Sequence, residues 1–253
     1  MAKSNIEWTE MTWNPTTGCT KISEGCLFCY AEPLSLRLRA MGLPKYQNGF
    51  KLTLHPEELK RPYAWKKPRM VFVNSMSDLF HQEVPDEFIL AVFKAMNDTP
   101  QHKYQILTKR SERLLQIADR LTWSENIWMG VTVENEKVTP RIANLLKTPA
   151  KIKFLSCEPL IGAVKSLDKY ISYIDWVIVG GESGAGARKM EKSWADDILR
   201  ICRENGIPFF FKQWGRKSSN VDNNDPTIEP KNLFHAKGGC QLDGKVYREM
   251  PVM

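Results

Sequence analysis

The stretch Trp176-Val177-Ile178-Val179-Gly180-Gly181-Glu182 joins a short apolar run to a polar, glycine-containing end. The same pattern recurs along the chain: a β-branched or aromatic run, a polar cluster, and then a helix-like stretch. The runs are residues 70–74, 104–108, 127–133, 152–156, 176–179 and 208–211, with a first strand predicted near residues 11–14. Amphipathic helices are predicted between them, most clearly at residues 85–96, 111–121, 139–146 and 193–205.

Strands that alternate with helices at this spacing indicate βαβ units and a parallel sheet. We therefore predict an α/β fold, a partial (β/α) TIM-like barrel of about six to seven parallel strands, over residues 1–215. A doubly wound open sheet is the alternative. Residues 216–253 are predicted as a C-terminal extension packed on the barrel, not an independent domain, with a hairpin that turns at Asp243-Gly244.

The composition is that of an ordinary soluble globular protein, with 42% hydrophobic and 26% charged residues. No apolar run approaches the roughly 20 residues that cross a bilayer. Residues 1–10 are polar and acidic where a secretory signal would be apolar, so we expect a cytoplasmic protein without a membrane partner. The net charge of +7 favours acidic partners, nucleic acid above all, although many soluble proteins are mildly basic without such a reason.

The cysteines are distributed unevenly. Three are scattered singly, and three lie within eleven residues; the scattered ones are Cys157, Cys202 and Cys240, and the clustered ones are Cys19, Cys26 and Cys29. Cytoplasmic thiols stay reduced, so disulfides are not expected. Three thiolates without a fourth nearby suit a [4Fe–4S] cluster with one open iron, whereas structural zinc normally takes four protein ligands. We predict an iron–sulfur site, with zinc as the alternative.

Several segments resemble known families. Cys26-Leu27-Phe28-Cys29 resembles the second half of the radical S-adenosylmethionine signature, although six residues separate Cys19 from Cys26 where three are usual. Other segments, spread nearly end to end, resemble a phage-associated family named after gene products thirty-seven and sixty-eight. Those segments are residues 12–15, 74–80, 107–110, 180–184 and 210–215.

The resemblance implies how such a cluster would be used. Cys19, Cys26 and Cys29 would bind three irons, and the fourth iron would bind the amino and carboxylate groups of S-adenosylmethionine. One electron would then release a 5′-deoxyadenosyl radical that abstracts hydrogen from substrate. An external electron donor and a separately encoded partner protein are also implied. The barrel would orient the reactants and exclude water, because the cofactor supplies the difficult chemistry.

The polar clusters follow the predicted strands, at the edge where α/β proteins bind ligands. The candidate cofactor-binding residues at these strand ends are Asn74, Ser75, Ser77, Thr132, Glu134, Ser156, Gly180, Gly181 and Glu182. We expect the first three near the methionine, and Thr132 and Glu134 near the ribose. Each of these residues has an alternative interpretation as an ordinary hydrogen bond at a strand end.

Cations at the same edge are candidates for binding substrate phosphates. These substrate-binding candidates are Lys109, Arg110, Arg188 and Lys212. The glycine-rich loop of residues 180–186 is a weaker phosphate candidate.

Three strand-end residues are candidates for a catalytic role: Glu158, Lys212 and Cys157. Side chains alternate along a strand, so Ser156 and Glu158 share one face and Cys157 takes the other. This alternation favours a structural role for Cys157.

Together these features predict a radical S-adenosylmethionine-like iron–sulfur enzyme that generates a 5′-deoxyadenosyl radical and acts on nucleic acid or a nucleotide. The alternative is a phage-associated nucleic-acid-binding or interaction protein in which the metal site is structural.

Overall fold

The computed structural model describes residues 6–183, 186–222, 224–228 and 238–252. Gly184, in the predicted glycine-rich loop, lies outside the described residues, as do parts of the predicted C-terminal extension. The chain divides into two compact units. Unit 1 comprises Met1–Ser23, Cys29–Val131 and Asn144–Ile152, and unit 2 comprises Glu24–Phe28, Thr132–Ala143 and Lys153–Met253.

Unit 1 is built on parallel strands. Its elements in chain order are β1 (Met11–Trp13), β2 (Thr16–Thr17), α1 (Ala31–Ala40), β3 (Thr53–Leu54), β4 (Met70–Val73), α2 (Asp86–Asn97), β5 (Lys103–Thr108), α3 (Ser111–Ile117) and β6 (Ile127–Thr132). The sheet order is β1, β4, β5, β6, and every pair is parallel. The short strands β2 and β3 pair with each other in antiparallel fashion.

Unit 2 repeats this organisation. After α4 (Pro140–Leu146), its elements are β7 (Ile152–Cys157), β8 (Trp176–Gly180), α5 (Lys192–Glu204), β9 (Phe209–Gln213), β10 (Gln241–Leu242) and β11 (Lys245–Val246). Strands β7, β8 and β9 are parallel neighbours in that order. The hairpin β10–β11 turns at Asp243 and Gly244, whose φ angles of 51° and 69° suit a tight two-residue turn.

The composition of the strands explains why they lie inside. All residues of β6 and β8 are buried, as expected for parallel strands that are covered on both faces. In unit 1, Trp8 packs edge-on against Phe72 with ring centroids 4.6 Å apart. In unit 2, Phe154 and Trp176 pack at 5.6 Å. The polar residues therefore lie at or beyond the carboxyl ends of these apolar strands.

The predicted fold class is confirmed: the protein is an α/β protein with a seven-stranded parallel sheet, consistent with a partial TIM-like barrel. Every predicted strand is present, with ends within two residues of those expected, and the Asp-Gly hairpin is present. One helix differs, because the stretch predicted to reach residue 121 is α-helical only to Ile117 and continues as a 3-10 turn over Ala118–Arg120. The pairing of β2 with β3 was not predicted.

A search of the described helices for membrane spans finds none that is long and apolar enough to cross a bilayer.

We expect Val177→Ala to lower the free energy of unfolding by about 1.5–3 kcal/mol, because it removes two buried methyl groups and leaves a cavity. Val177 lies in β8 and is 0% exposed. The matched control is Val246→Ala, since Val246 in β11 is 50% exposed, and its effect should stay below about 0.5 kcal/mol. Urea unfolding followed by circular dichroism measures both. Equal effects of the two substitutions would contradict the assignment of β8 to the core.

Candidate functional site

The six cysteines differ in burial. None is in a disulfide; the half-buried ones are Cys19, Cys26 and Cys29, and the buried ones are Cys157, Cys202 and Cys240. Burial raises the pKa of the Cys202 thiol to about 12 and also raises the pKa of Cys157. Little thiolate forms at either buried position near neutral pH, and the thiolate is the form that binds metals. The clustered cysteines are therefore the better ligand candidates.

In unit 1, the backbone around Cys19 is held by hydrogen bonds to two other segments. The Gly18 amide donates to Met76 O at 3.0 Å, and the Cys19 amide donates to Phe50 O at 3.2 Å. The Ser77 hydroxyl donates to Gly18 O at 2.7 Å. Gly18 has φ +79°, and a Cβ there would lie 2.2 Å from the Lys51 carbonyl oxygen, so only glycine fits this close approach.

Arg110, a predicted phosphate-binding residue, contacts this same segment. Its Nη2 donates to the carbonyl oxygen and the hydroxyl of Thr20 at 3.0 and 2.8 Å and lies 3.9 Å from Cys19 Sγ. The Thr20 hydroxyl also pairs with His81 Nε2 at 2.9 Å. Burial and then the positive charge of Arg110 lower the pKa of His81, so its ring is neutral at pH 7. Arg110 and His81 together fix the residue after Cys19.

Asp78 joins the ends of β4 and β5. Its carboxylate accepts hydrogen bonds from the Thr108 hydroxyl at 2.7 Å, the Lys109 amide at 3.1 Å and the Phe80 amide at 3.0 Å. Asp78 is buried, and such a carboxylate is tolerated only when donors surround it. The strand-end segment 74–80 is thereby fixed to the residues that lead to Arg110.

The buried donors in this region that make no hydrogen bond within the described part of the chain include Asn74 Nδ2 and Arg110 Nε. Asn74 follows β4 with φ +61°, and its Oδ1 accepts from the Thr16 amide at 3.3 Å. Ser75 and Ser77, predicted beside Asn74 as cofactor contacts, donate instead to Asn14 Oδ1 and Gly18 O. Of these three predicted residues, Asn74 is therefore the one with a buried side-chain donor that lacks a partner among the described residues.

In unit 2, residues 24–28 contact side chains at the strand ends. Arg188 Nη2 donates to Glu24 O at 2.8 Å, and Lys137 Nζ donates to Glu24 Oε1 at 2.8 Å. The Arg188 guanidinium lies 5.5 Å from the centre of the Phe28 ring. A Cβ added at Gly25 would lie 2.5 Å from the Glu134 carboxylate, so this glycine allows a close approach.

Two buried carboxylates of unit 2, Glu134 and Glu182, are paired with arginines. Glu182, 4% exposed, accepts from Arg188 Nε at 2.8 Å and Nη2 at 2.5 Å, and these bonds raise the pKa of Arg188. Glu134, 1% exposed, accepts from Arg141 Nη1 at 2.7 Å. The same Arg141 nitrogen donates to Thr132 O at 2.9 Å. Glu134 and Glu182, predicted as cofactor contacts, thus have protein partners.

Glu158 and Lys212, two of the catalytic candidates, come together. Lys212 Nζ lies 3.1 Å from Glu158 Oε1, and the Ser156 hydroxyl donates to Glu158 Oε2 at 3.3 Å. A Cβ at Gly180 would lie 2.7 Å from Glu158 Oε1, and one at Gly181 would lie 2.0 Å from Trp214 O. The two glycines are therefore explained by packing.

Sequence reasoning missed two residues that fix the cysteine segment, Asn14 and His81, and a third, Lys137, that contacts it. Asn14 Oδ1 accepts from the Met76 amide at 3.0 Å, which anchors the stretch before Cys19. No local pattern marks His81 or Lys137, because their partners lie far away in sequence. Across the described ranges, no group of three or more His, Cys, Asp or Glu side chains is arranged to hold a metal ion.

The fold and this site define an α/β protein with a parallel sheet and a half-buried cysteine segment held by strand-end residues. The chain belongs to the family described as "Protein of unknown function (DUF5131)", whose model matches residues 3–251. No curated protein matches the chain. The match extends over nearly the whole chain.

We expect iodoacetamide at about pH 8 to modify Cys19, Cys26 and Cys29 in the native, metal-free protein and to leave Cys157 and Cys202 unmodified. A thiol with a pKa of about 12 is roughly one ten-thousandth thiolate at that pH, and burial also blocks the reagent. Peptide mass spectrometry under anaerobic conditions measures each rate, with protein in urea as the control in which all six react. Rapid labelling of Cys202 in folded protein would contradict the burial described above.

Proposed function

We propose that the protein is a radical S-adenosylmethionine-like iron–sulfur enzyme whose [4Fe–4S] cluster is bound by Cys19, Cys26 and Cys29. The observation that carries this proposal is the contrast between the cysteine groups. The three within eleven residues are half-buried, and the three scattered ones are buried. Packing explains a buried cysteine, whereas three partly exposed thiols in one glycine-containing segment are typical of metal ligands.

The chemistry of the donors fits such a cluster. Soft thiolate ligands favour iron–sulfur clusters and zinc, and three of them leave one iron of a [4Fe–4S] cluster open. The protein also holds the backbone beside these thiols, through Arg110 next to Cys19 and through Arg188 at residues 24–28. Ligands that are held before the metal arrives lose less conformational entropy on binding it.

Unsatisfied donors support S-adenosylmethionine as the second cofactor. Asn74 Nδ2 and Arg110 Nε are buried and lack a partner among the described residues, and both suit a carboxylate such as that of the methionine moiety. When bound, the cluster would supply the electron that cleaves S-adenosylmethionine to a 5′-deoxyadenosyl radical. The chain's own part would be to bind and orient, and Glu158 with Lys212 would hold a proton at Oε1 or Nζ.

The substrate proposed is nucleic acid or a nucleotide, because the net charge of +7 attracts phosphates. The predicted phosphate-binding cations are Lys109, Arg110, Arg188 and Lys212, of which Arg110 and Arg188 also contact the cysteine segment and Lys212 also pairs with Glu158. A cytoplasmic location, an external electron donor, a separately encoded partner protein and the phage association belong to the same proposal.

Anaerobic reconstitution with iron and sulfide tests the proposed cluster. We expect about four iron and four sulfide per chain and absorption near 400 nm, roughly as for other [4Fe–4S] proteins. Cys19→Ala, Cys26→Ala and Cys29→Ala should each lose most of the iron. Cys240→Ala is the matched control and should keep it, because Cys240 is buried and outside the segment. Reduction with S-adenosylmethionine should then yield 5′-deoxyadenosine.

Tight zinc with no 5′-deoxyadenosine would contradict the proposal and favour a nucleic-acid-binding or interaction protein with a structural metal. Iron binding without formation of 5′-deoxyadenosine would support the cluster and refute the radical reaction.

Asn74→Asp tests the proposed contact to S-adenosylmethionine. Asp tolerates the left-handed backbone at φ +61° but replaces the donor with a carboxylate that repels the carboxylate of the methionine moiety. We expect the dissociation constant of S-adenosylmethionine for the reconstituted protein to rise about tenfold or more in calorimetry. Asn205→Asp, on the exposed C-terminus of α5, is the control. Unchanged affinity for Asn74→Asp would exclude Asn74 from the cofactor site.

A further inference from the structure

We infer that Glu182 and Arg188 form a positioning pair that holds Cys26 in place before any metal binds. Arg188 contacts the chain on both sides of this cysteine: its Nη2 donates to Glu24 O, two residues before, and its guanidinium lies 5.5 Å from the Phe28 ring, two residues after. The claim that the pair holds residues 24–28 concerns the metal-free chain. The claim that this holding favours metal binding rests on the proposed function.

Glu182 sets the orientation of Arg188. The carboxylate accepts from Arg188 Nε, Nη2 and the backbone amide at 2.8, 2.5 and 2.9 Å. With 4% exposure, Glu182 is largely shielded from water, and hydrogen bonds between two charged groups are strongest in such surroundings. The planar guanidinium is thus fixed at two nitrogens, and the direction in which Nη2 reaches Glu24 O is fixed with it.

The other attachments of residues 24–28 are an exposed ion pair and packing contacts. The ion pair of Lys137 with Glu24 is well exposed, with side chains 77% and 57% accessible, and such pairs contribute little. Gly25 packs against the Glu134 carboxylate. Phe28 packs against Gly186, where an added Cβ would lie 3.1–3.5 Å from atoms of the Phe28 ring. These contacts shape the segment, and Arg188 adds a cation that binds its backbone while a shielded carboxylate holds that cation.

This geometry argues against phosphate binding by Arg188. A phosphate would have to compete with a buried carboxylate that already accepts from two of the guanidinium nitrogens. Releasing Glu182 would leave a buried negative charge without its partner, which is costly. The charge balance within the pair therefore favours a positioning role.

The test measures how fast iodoacetamide modifies each cysteine in anaerobic, metal-free protein. Arg188→Gln and Glu182→Gln should raise the rate at Cys26 about fivefold or more, because the segment opens more often when its charged anchor is lost. Arg188→Lys should lie in between, since one ammonium cannot reproduce the planar fork. The rate at Cys19, which Arg110 holds, should change less than about twofold.

Arg203→Gln is the matched control, because Arg203 makes a similar two-nitrogen contact with Glu249 at 2.8 and 2.6 Å, in the same unit. It should leave the rate at Cys26 unchanged. Cys202 reports global unfolding, since it is buried. If Arg188→Gln also exposes Cys202, the comparison is made with Arg188→Lys, which keeps the charge. Unchanged Cys26 rates in a folded variant of either residue would overturn the inference.

Reconstitution of the same variants separates this inference from the proposed function. If wild-type protein binds iron, Arg188→Gln should bind less, and Arg203→Gln should bind as much as wild type. If wild-type protein binds no iron but Cys26 still becomes more reactive in Arg188→Gln, the proposed function fails and the positioning pair stands. If iron binds and Cys26 reactivity is unaltered, the pair is refuted and the cluster stands.

Discussion

Buried carboxylates at the carboxyl ends of parallel strands constrain the rest of this structure. A carboxylate removed from water destabilises the fold unless hydrogen bonds and opposite charge compensate it. Asp78, Glu134 and Glu182 are 7%, 1% and 4% exposed, and each is compensated by donors of its own unit. The partner of Glu182 in turn contacts the cysteine segment. One of the residues that compensate buried charge thus also contacts residues 24–28.

The fold could be predicted from the sequence because parallel strands are buried on both faces and leave a simple pattern. Runs such as residues 127–132 are apolar throughout, and a polar cluster follows each of them. The Asp243-Gly244 turn was equally accessible, since both residues adopt positive φ angles that few other residues tolerate. The pairing of β2 with β3 could not be predicted, because a strand of two residues is too short to show an alternating pattern.

The candidate site was predictable in its residue types but not in its pairings. The sequence predicted Arg110 and Arg188 at strand ends as phosphate-binding residues; phosphate binding stays a prediction, and Arg188 lies eight residues after the end of β8. In the structure, Arg110 donates to Thr20 and Arg188 to Glu24 and Glu182. Partners separated by 90 or 164 positions in the chain cannot be read from local spacing. Only the tertiary fold decides whether a strand-end cation faces a ligand or its own protein.

These pairings change the interpretation of the cysteine segment. Its thiols are half-buried, its backbone is held by arginines, and the Asn74 Nδ2 and Arg110 Nε donors in unit 1 lack a partner among the described residues. Our proposal is that these thiols bind the cluster and that a second molecule completes its coordination. On that proposal, the strand-end residues position the ligands.

The most direct measurement of the proposed cluster is the Mössbauer spectrum of protein reconstituted with ⁵⁷Fe, with and without S-adenosylmethionine. Three cysteine ligands on a cubane predict one iron that differs from the others, in a ratio of about 3:1, and a shift of that one signal when S-adenosylmethionine binds. Four equivalent irons that ignore S-adenosylmethionine, or a single iron bound by sulfur alone, would contradict the proposed site.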